Sequence, residues 1–143
     1  MFDKIKVENP AKLLIRPREG EQTLEQAKWR EKQAAKRLGF DIGTLFPLWY
    51  AMNHRCYSEN NDSYANYGGR GIRVSTRWRR SFVQFCLDMG DRPEGRYSLD
   101  RIDNDGNYCH SNCRWVTRKV QFHNTRRRIK LTVPLILSKL WEV

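Results

Sequence analysis

Apolar and polar residues alternate along the chain with two periods, which predict helices in the first two thirds and a hairpin later. TLEQAKWREKQAAKRLGF (23–40) predicts a helix, because Thr23 is a candidate N-cap and Gln26 completes a capping-box pattern. Gly39 is a natural stop for this helix. Its apolar residues form a thin stripe, so we expect the helix on the surface.

Two more segments have helical character. LFPLWYAMNHRC (45–56) accepts Pro47 in a first turn, and SFVQFCLDMG (81–90) places apolar residues at helical spacing and stops at Gly90. Both should contribute to the core. The bulky residues expected there are Leu48, Trp49, Tyr50, Met52, Phe82, Phe85, Cys86 and Met89.

Alternation with period two predicts strands. IRVSTRW (72–78) suggests a short strand, and YSLDRID (97–103) with NCRWVT (112–117) suggests a hairpin. The Asp105-Gly106 pair between them is a strong turn signal. VTRKVQFHNTRRR (116–128) then predicts a helix, residues 1–22 a loose arm, and residues 129–143 a strand and short helix or an arm.

The charge of the chain indicates a polyanionic partner. The formal net charge is +11 over 143 residues, and nucleic acid is the commonest polyanion that such proteins bind. No apolar run approaches the length of a membrane span, and the first residues lack a signal-peptide pattern. Four cysteines are then expected as free thiols or metal ligands in the cytoplasm.

Residues 98–124, SLDRIDNDGNYCHSNCRWVTRKVQFHN, carry the most specific pattern in the chain. Acids end a strand, a Gly turn and an Asn-x-Arg-Trp-x-Thr strand follow, and a basic helix comes last. This order resembles the ββα-metal core of HNH endonucleases, of the small phage-encoded and homing type. With the upstream segments, the resemblance covers about residues 44–126.

The resemblance implies an α+β fold with an HNH-like, His-Me finger core, a preceding strand-helix unit and a helical N-terminal extension. Residues 1–44 would form the arm and surface helix, and residues 45–128 the nuclease domain, with its core at about 96–126. Residues 129–143 would be a tail or a small DNA-contacting element. The setting would be the cytoplasm of a phage-infected bacterial cell.

The resemblance also implies a metal-dependent hydrolysis of phosphodiester bonds in double-stranded DNA. One divalent ion, magnesium or manganese, would be held by hard oxygen ligands. Asp100 matches the metal-binding acid, Gln121 matches the helical amide ligand, and Asn124 one turn later is an auxiliary ligand or phosphate contact. Asn112 matches the structural Asn that closes the hairpin, and Trp115 belongs to the same structural motif.

One position departs from the family. Arg101 stands where HNH enzymes have the histidine that deprotonates water, and an arginine cannot act as a general base, although it can clamp a phosphate. Three alternatives stay open: His110 is the base, the metal or Asp103 activates water, or the chain binds DNA and cuts poorly or not at all.

Two basic clusters are expected to contact DNA phosphates. Residues 70–80 contain five Arg and residues 114–130 contain seven Lys or Arg, with no acid in either. The aromatic residues among them, Trp78, Trp115 and Phe122, are expected in the core. The expected DNA-binding residues are Arg70, Arg73, Arg77, Arg79, Arg80, Arg114, Arg118, Lys119, Arg126, Arg127 and Arg128.

A zinc-binding alternative comes from Cys109, His110 and Cys113. Structural zinc sites normally show paired C-x-x-C or H-x-x-x-H spacings, whereas this chain has one loose cluster, so a structural-zinc nucleic-acid-binding protein is the less favoured hypothesis. Either a monomer or a homodimer is compatible with a chain of this size.

Overall fold

The computed structural model describes residue 15, residues 17–21 and residues 23–124. The fold is α+β, as predicted. Its described helices are α1 (Leu24–Arg37), α2 (Ile42–Tyr57), α3 (Thr76–Arg80), α4 (Phe82–Met89) and α5 (Arg118–His123), and its strands are β1 (Tyr97–Arg101) and β2 (Cys113–Thr117). Most of the predicted arm, Arg126 to Arg128 and the tail 129–143 lie outside the described residues. No described helix is long and apolar enough to cross a bilayer.

Helix α1 begins at the predicted capping box. The Thr23 hydroxyl accepts from the Gln26 amide at 3.2 Å, and the Gln26 side chain accepts from the Thr23 amide at 3.0 Å. The helix ends at Arg37, and Gly39 follows with a φ of 92°, the left-handed conformation that glycine tolerates. Ala27 and Ala35 are buried. The narrow buried stripe agrees with the expected surface position.

Helix α1 is joined to α4 by a buried carboxylate. Glu31 is 8% exposed. Its Oε2 accepts from the Ser81 hydroxyl at 2.8 Å and from the Val83 amide at 3.1 Å. The acid therefore satisfies a backbone donor in the first turn of α4, where helix amides lack partners within the helix.

Helix α2 begins three residues before the predicted start. Asp41 is its N-cap and accepts from the Thr44 amide at 3.3 Å, an Asx-type cap that the sequence prediction overlooked. Pro47 consequently lies inside the helix rather than in its first turn. Trp49 and Met52 are buried as expected, but Tyr50 is 42% exposed, so its assignment to the core is wrong.

The predicted strand 72–78 is wrong. Val74 forms a single parallel bridge with Tyr108, and Thr76–Arg80 is the short helix α3. Ser75 caps this helix, since its hydroxyl accepts from the Trp78 amide at 3.4 Å. The alternating pattern of Arg and apolar residues also fits one turn of helix. The unit that precedes the hairpin is therefore helical.

The core lies between α2, α3 and α4. Trp49, Trp78, Phe82 and Phe85 are fully buried, and the Trp78 indole is perpendicular to the Phe85 ring at 5.1 Å. Trp78 thus belongs to the core as expected. Phe122 does not, because 55% of its surface is exposed.

The predicted hairpin is confirmed. Strands β1 and β2 pair antiparallel, with Asp100 opposite Arg114 and Leu99 opposite Trp115. The Trp115 indole donates to the Met89 carbonyl at 2.9 Å, which fastens the hairpin to the end of α4. Helix α5 starts at Arg118, two residues later than predicted, because β2 continues to Thr117, and its predicted extension to 128 passes beyond the described residues.

Candidate active site

A cleft of about 400 Å³ lies where three parts of the chain meet. These parts are the loop between α2 and α3, the end of β1 with the turn after it, and α5. Both Asp100 and Gln121 line this cleft, so the hairpin and α5 bring the predicted metal-binding pair to one cavity. The lining residues are Ser63, Asn66, Tyr67, Arg70, Leu99, Asp100, Arg101, Asn104, Tyr108, Gln121 and Asn124.

Asp100 is a buried carboxylate held from two directions. It is 7% exposed. Its Oδ2 accepts from Nε of Arg114 at 3.3 Å and from Nδ2 of Asn124 at 3.0 Å. Arg114 reaches it from the opposite strand and Asn124 from the end of α5. Both bonds end on Oδ2, so Oδ1 is the oxygen that these two partners leave for a ligand.

Asn124 connects the end of α5 to the hairpin. Besides Asp100, its Nδ2 donates to the Arg101 carbonyl at 2.8 Å, and its own backbone carbonyl accepts from the Asn104 side chain. The motif implied that Asn124 is an auxiliary ligand or a phosphate contact. These contacts make it a residue that positions Asp100, and its amide oxygen is not used in them.

Arg101 lies over two aromatic rings. Its guanidinium is 5.1 Å from the ring centroid of Tyr67 and 4.8 Å from that of Tyr108, and these rings stack at 6.2 Å. Nη1 donates to the Gly106 carbonyl at 2.8 Å. Arg101 is 7% exposed. The cleft wall therefore carries a positive charge that is held in place on several sides.

Tyr108 does not supply a base near neutral pH. Burial raises the pKa of its phenol well above the usual value, and this effect outweighs the opposing charges of Arg55 and Arg101. The phenol consequently stays protonated and acts as an aromatic surface for Arg101.

Asn112 closes the turn between the strands, as the sequence predicted. Its Oδ1 accepts from the Asp103 amide at 2.9 Å, and its Nδ2 donates to the carbonyls of Asp103 and Asn107 at 3.1 and 2.9 Å. A Cβ on Gly106 would come within 2.7 Å of this Nδ2. The turn thus requires glycine at 106 for its close packing on the Asn112 amide.

Neither side chain considered as an alternative base lines the cleft. Asp103 is exposed, and its Oδ1 accepts from the Asp105 amide at 2.9 Å, so it stabilises the turn. His110 is exposed and helps to lower the pKa of Asp88. Among the described residues that line the cleft, none is a histidine.

The first basic cluster is largely engaged within the protein. Arg70 uses Nε, Nη1 and Nη2 to bind the Asn66 carbonyl, the Asp105 carboxylate and the Asn104 carbonyl at 2.8 to 2.9 Å. This arginine joins the loop before α3 to the hairpin turn. Its donors are committed to the fold rather than directed at a ligand.

The remaining predicted DNA-binding residues have different environments. Arg73 donates to the carbonyls of Gly68 and Ile72 at 3.1 Å, Arg77 pairs with Asp88 at 3.0 Å, and Arg79 lies 3.7 Å from the Tyr57 ring centroid. Among the predicted contact residues that the structure describes, those that are exposed are Arg73, Arg77, Arg80, Arg118 and Lys119.

The donor set of the cleft suits a hard cation. Mg²⁺ in proteins is typically bound by one or two carboxylates, retained waters and substrate phosphates. Asp100 has a carboxylate oxygen, and Gln121 and Asn124, which line the same cleft, carry amide oxygens. Within the described residues no three His, Cys, Asp or Glu side chains converge on one point. The oxygen donors here come from one acid and two amides.

Cys113 of the alternative zinc cluster is not in a thiolate-favouring environment. Burial raises the pKa of Cys113 to about 12, although the backbone amide of Cys109 opposes this. Cys109 instead lies 3.3 Å from the Ser111 hydroxyl. Cys113 is therefore a protonated thiol near neutral pH in this structure.

Tyr67, Tyr108 and Asn104 are site residues that the sequence analysis did not assign. A Cβ on Gly68 would lie 2.1 Å from the Cys56 carbonyl oxygen, so only glycine fits there. This packing against α2 brings Tyr67 to the cleft, a long-range relationship that local sequence does not encode.

Comparison of the chain with protein-family models, with curated proteins and with solved structures finds no match.

Proposed function

We propose that this protein is a metal-dependent endonuclease that hydrolyses phosphodiester bonds in double-stranded DNA through an HNH-like ββα-metal core. The proposal depends mainly on one observation. Asp100, at the end of the first hairpin strand, is hydrogen-bonded to Asn124 on the following helix at 3.0 Å and shares a cleft with Gln121. A strand acid and helical amides meeting at one cavity is the arrangement that the sequence motif implies.

Charge around the cleft supports a nucleic-acid substrate. The chain carries a net charge of +11, and the exposed Arg118 and Lys119 begin the helix that forms one wall. Such residues attract a phosphate backbone without regard to its sequence. The substrate strand would cross the cleft beside α5.

Asp100, Gln121 and Asn124 are the residues that would hold a magnesium or manganese ion. Bound there, the ion would place positive charge beside the scissile phosphate and lower the pKa of a coordinated water. Arg114 and Asn124 fix the Asp100 carboxylate through Oδ2, which leaves Oδ1 for the ion. Arg101 binds a non-bridging phosphate oxygen through the donors that Gly106 does not engage.

The positions of the candidate bases favour one of the three alternatives. His110 and Asp103 lie outside the set of cleft-lining residues, and Tyr108 stays protonated. Activation of water without a histidine therefore agrees best with this arrangement. Arg101 then serves to bind and orient the phosphate rather than to accept a proton.

Plasmid nicking tests the proposal. The purified protein should nick or linearise supercoiled DNA with magnesium or manganese, and chelator should stop the reaction. Asp100→Asn should abolish cleavage while leaving the fold intact, because Asn preserves the shape of the side chain. Metal-dependent cleavage that persists in Asp100→Asn would refute the assignment.

A DNA-binding protein without cleavage is the second candidate. The observation that favours it is the replacement of the usual histidine by Arg101, with no histidine among the described cleft-lining residues. Such a protein would shift DNA equally in chelator and in magnesium and leave it uncut. A gel-shift experiment run beside the plasmid assay separates the two candidates.

A further inference from the structure

We infer that Tyr67 and Tyr108 are positioning residues that hold the Arg101 guanidinium as a preformed phosphate clamp. This inference rests on the proposed function and deepens it, because it assigns the substrate-binding role of the position where a histidine is expected. Neither tyrosine touches the reacting atoms in this scheme. Both act through Arg101.

The two arginines on the cleft wall differ in the donors that they have available. Arg70 uses all three of its guanidinium nitrogens in hydrogen bonds to the protein. For Arg101, the bond donated to a described residue is that from Nη1 to Gly106. Its Nε and Nη2 edge is therefore the one suited to two parallel bonds with a phosphate. The distinction assigns phosphate binding to Arg101 and a structural role to Arg70.

Tyrosine rings can orient this edge without consuming its donors. A guanidinium over an aromatic face is attracted by the negative ring face, and its N–H groups still point outward in the guanidinium plane. The guanidinium of Arg101 lies within 6 Å of two such centroids, at 5.1 and 4.8 Å. A carboxylate partner would neutralise the charge instead.

Preorganisation gives the rings a functional consequence. An arginine side chain loses rotamer freedom when it binds a ligand, and this loss weakens binding. Arg101 is 7% exposed and already fixed by Tyr67, Tyr108 and Gly106. The Arg101 side chain is therefore ordered before DNA binds. Less rotamer freedom is lost on binding, so the phosphate is bound more strongly.

A double-mutant cycle tests the inference. Tyr67 is only half-buried, so Tyr67→Leu and Tyr67→Phe are the practical changes, each combined with Arg101→Gln. Tyr67→Leu should lower kcat/KM for duplex cleavage about five-fold and weaken duplex binding in chelator by a similar factor, as expected for loss of one cation–π contact. Tyr67→Phe should stay within about two-fold of wild type, because it keeps the ring.

The coupling between the changes at Tyr67 and Arg101 decides whether Tyr67 has a positioning role or a merely structural one. In the Arg101→Gln background, Tyr67→Leu should produce no further loss, since the cleft-lining charge over the ring is gone and Arg55, the other guanidinium over this ring at 5.0 Å, does not line the cleft. Equal losses in both backgrounds, or a Tyr67→Phe defect as large as that of Tyr67→Leu, would overturn the inference.

Tyr50→Leu is the matched control. Tyr50 also carries a cation, Lys28 at 5.4 Å from its centroid, but it is not among the cleft-lining residues. Its replacement should leave cleavage and binding unchanged. Failure of the proposed function is seen separately, as a wild-type protein that does not cut. The cycle measured on duplex binding still reports on the clamp in that case.

Discussion

Arg114 donates from Nε to Oδ2 of Asp100 over 3.3 Å, directly across the hairpin. The side chain of Arg114 is 41% exposed and that of Asp100 is 7% exposed. A buried carboxylate is costly unless it is paired and hydrogen-bonded. The cation on β2 thus pairs with the buried acid on β1 beside the cleft, and Asn124 fixes the orientation of this acid.

We expect Arg114→Gln to reduce cleavage about 10- to 100-fold, with most of the loss appearing as a higher magnesium requirement. Residues that orient metal ligands typically have effects of this size. Magnesium titration of the cleavage rate provides the measurement. Arg118→Gln is the control, because it removes the same charge from an exposed position at the start of α5. If both variants lose activity equally, general charge rather than the Asp100 contact is responsible.

Gln121→Ala and Asn124→Ala should differ in stability although both reduce cleavage. Asn124 binds Asp100 and the Arg101 carbonyl, so its loss leaves buried groups unpaired and should lower the free energy of unfolding by about 1–3 kcal/mol. Gln121→Ala should change it by less than about 0.5 kcal/mol. Urea unfolding measures this difference. A stable Asn124→Ala protein would contradict the structural role.

His110→Ala should cleave plasmid at a rate within about two-fold of wild type, the range of a surface change without a specific role. The imidazole is exposed and is not among the cleft-lining residues. The pH–rate profiles of the two proteins should superimpose. A lost limb between pH 5 and 8 in the variant would instead show that His110 accepts the proton.

Asn112→Asp should destabilise the hairpin by about 2 kcal/mol. Two of the three hydrogen bonds made by the Asn112 side chain are donated by Nδ2, and a carboxylate cannot donate them. The free energy of unfolding in urea measures the effect. Ser111→Ala alters the preceding exposed residue and should be nearly neutral. Equal stabilities of the two variants would argue against the closing role of Asn112.

Asp88 should make the stability depend on pH in the acid range. Burial raises its pKa, but hydrogen bonds from Arg77 and Trp78 outweigh this, and the net result lies below the ordinary value of 3.8. The stabilisation is therefore present above about pH 4 and is lost as the pH falls through the lower folded value. Wild type should exceed Asp88→Asn in stability at pH 6, and the gap should narrow toward pH 3.

Urea unfolding from pH 3 to 6 provides this comparison, with Asp62→Asn as an exposed control. The control should follow wild type across the range. A gap between wild type and Asp88→Asn that stays constant with pH would show that Asp88 contributes through its shape rather than its charge.

Local chemistry predicted those parts of the structure that depend on near neighbours in the chain. The capping box at Thr23 and the hairpin turn each involve residues fewer than ten positions apart, whereas the closing role of Asn112 was implied by the family resemblance. Trp78 was also recognisable as a core residue. The strand predicted at 72–78 failed, because alternation over seven residues does not distinguish a strand from a bridge followed by a capped helical turn.

The candidate site was predictable only in part. The motif selected Asp100, Gln121 and Arg101, and the structure puts all three on one cleft. Tyr67 could not be predicted there, since its place depends on the contact between Gly68 and α2. The place of His110 likewise depends on how the residues between β1 and β2 fold, and its side chain is exposed and not among those that line the cleft.

The buried carboxylate of Glu31 has a consequence for how this chain can be shortened. From helix α1, about fifty residues earlier in the chain, it accepts hydrogen bonds from the Ser81 hydroxyl and the Val83 amide at the start of α4. A fragment beginning at residue 45 would leave the Val83 amide without this acceptor and would remove the buried Ala27 and Ala35 from the core. The leading helix is therefore an integral part of one cooperative unit, and a minimal version of the protein has to keep it.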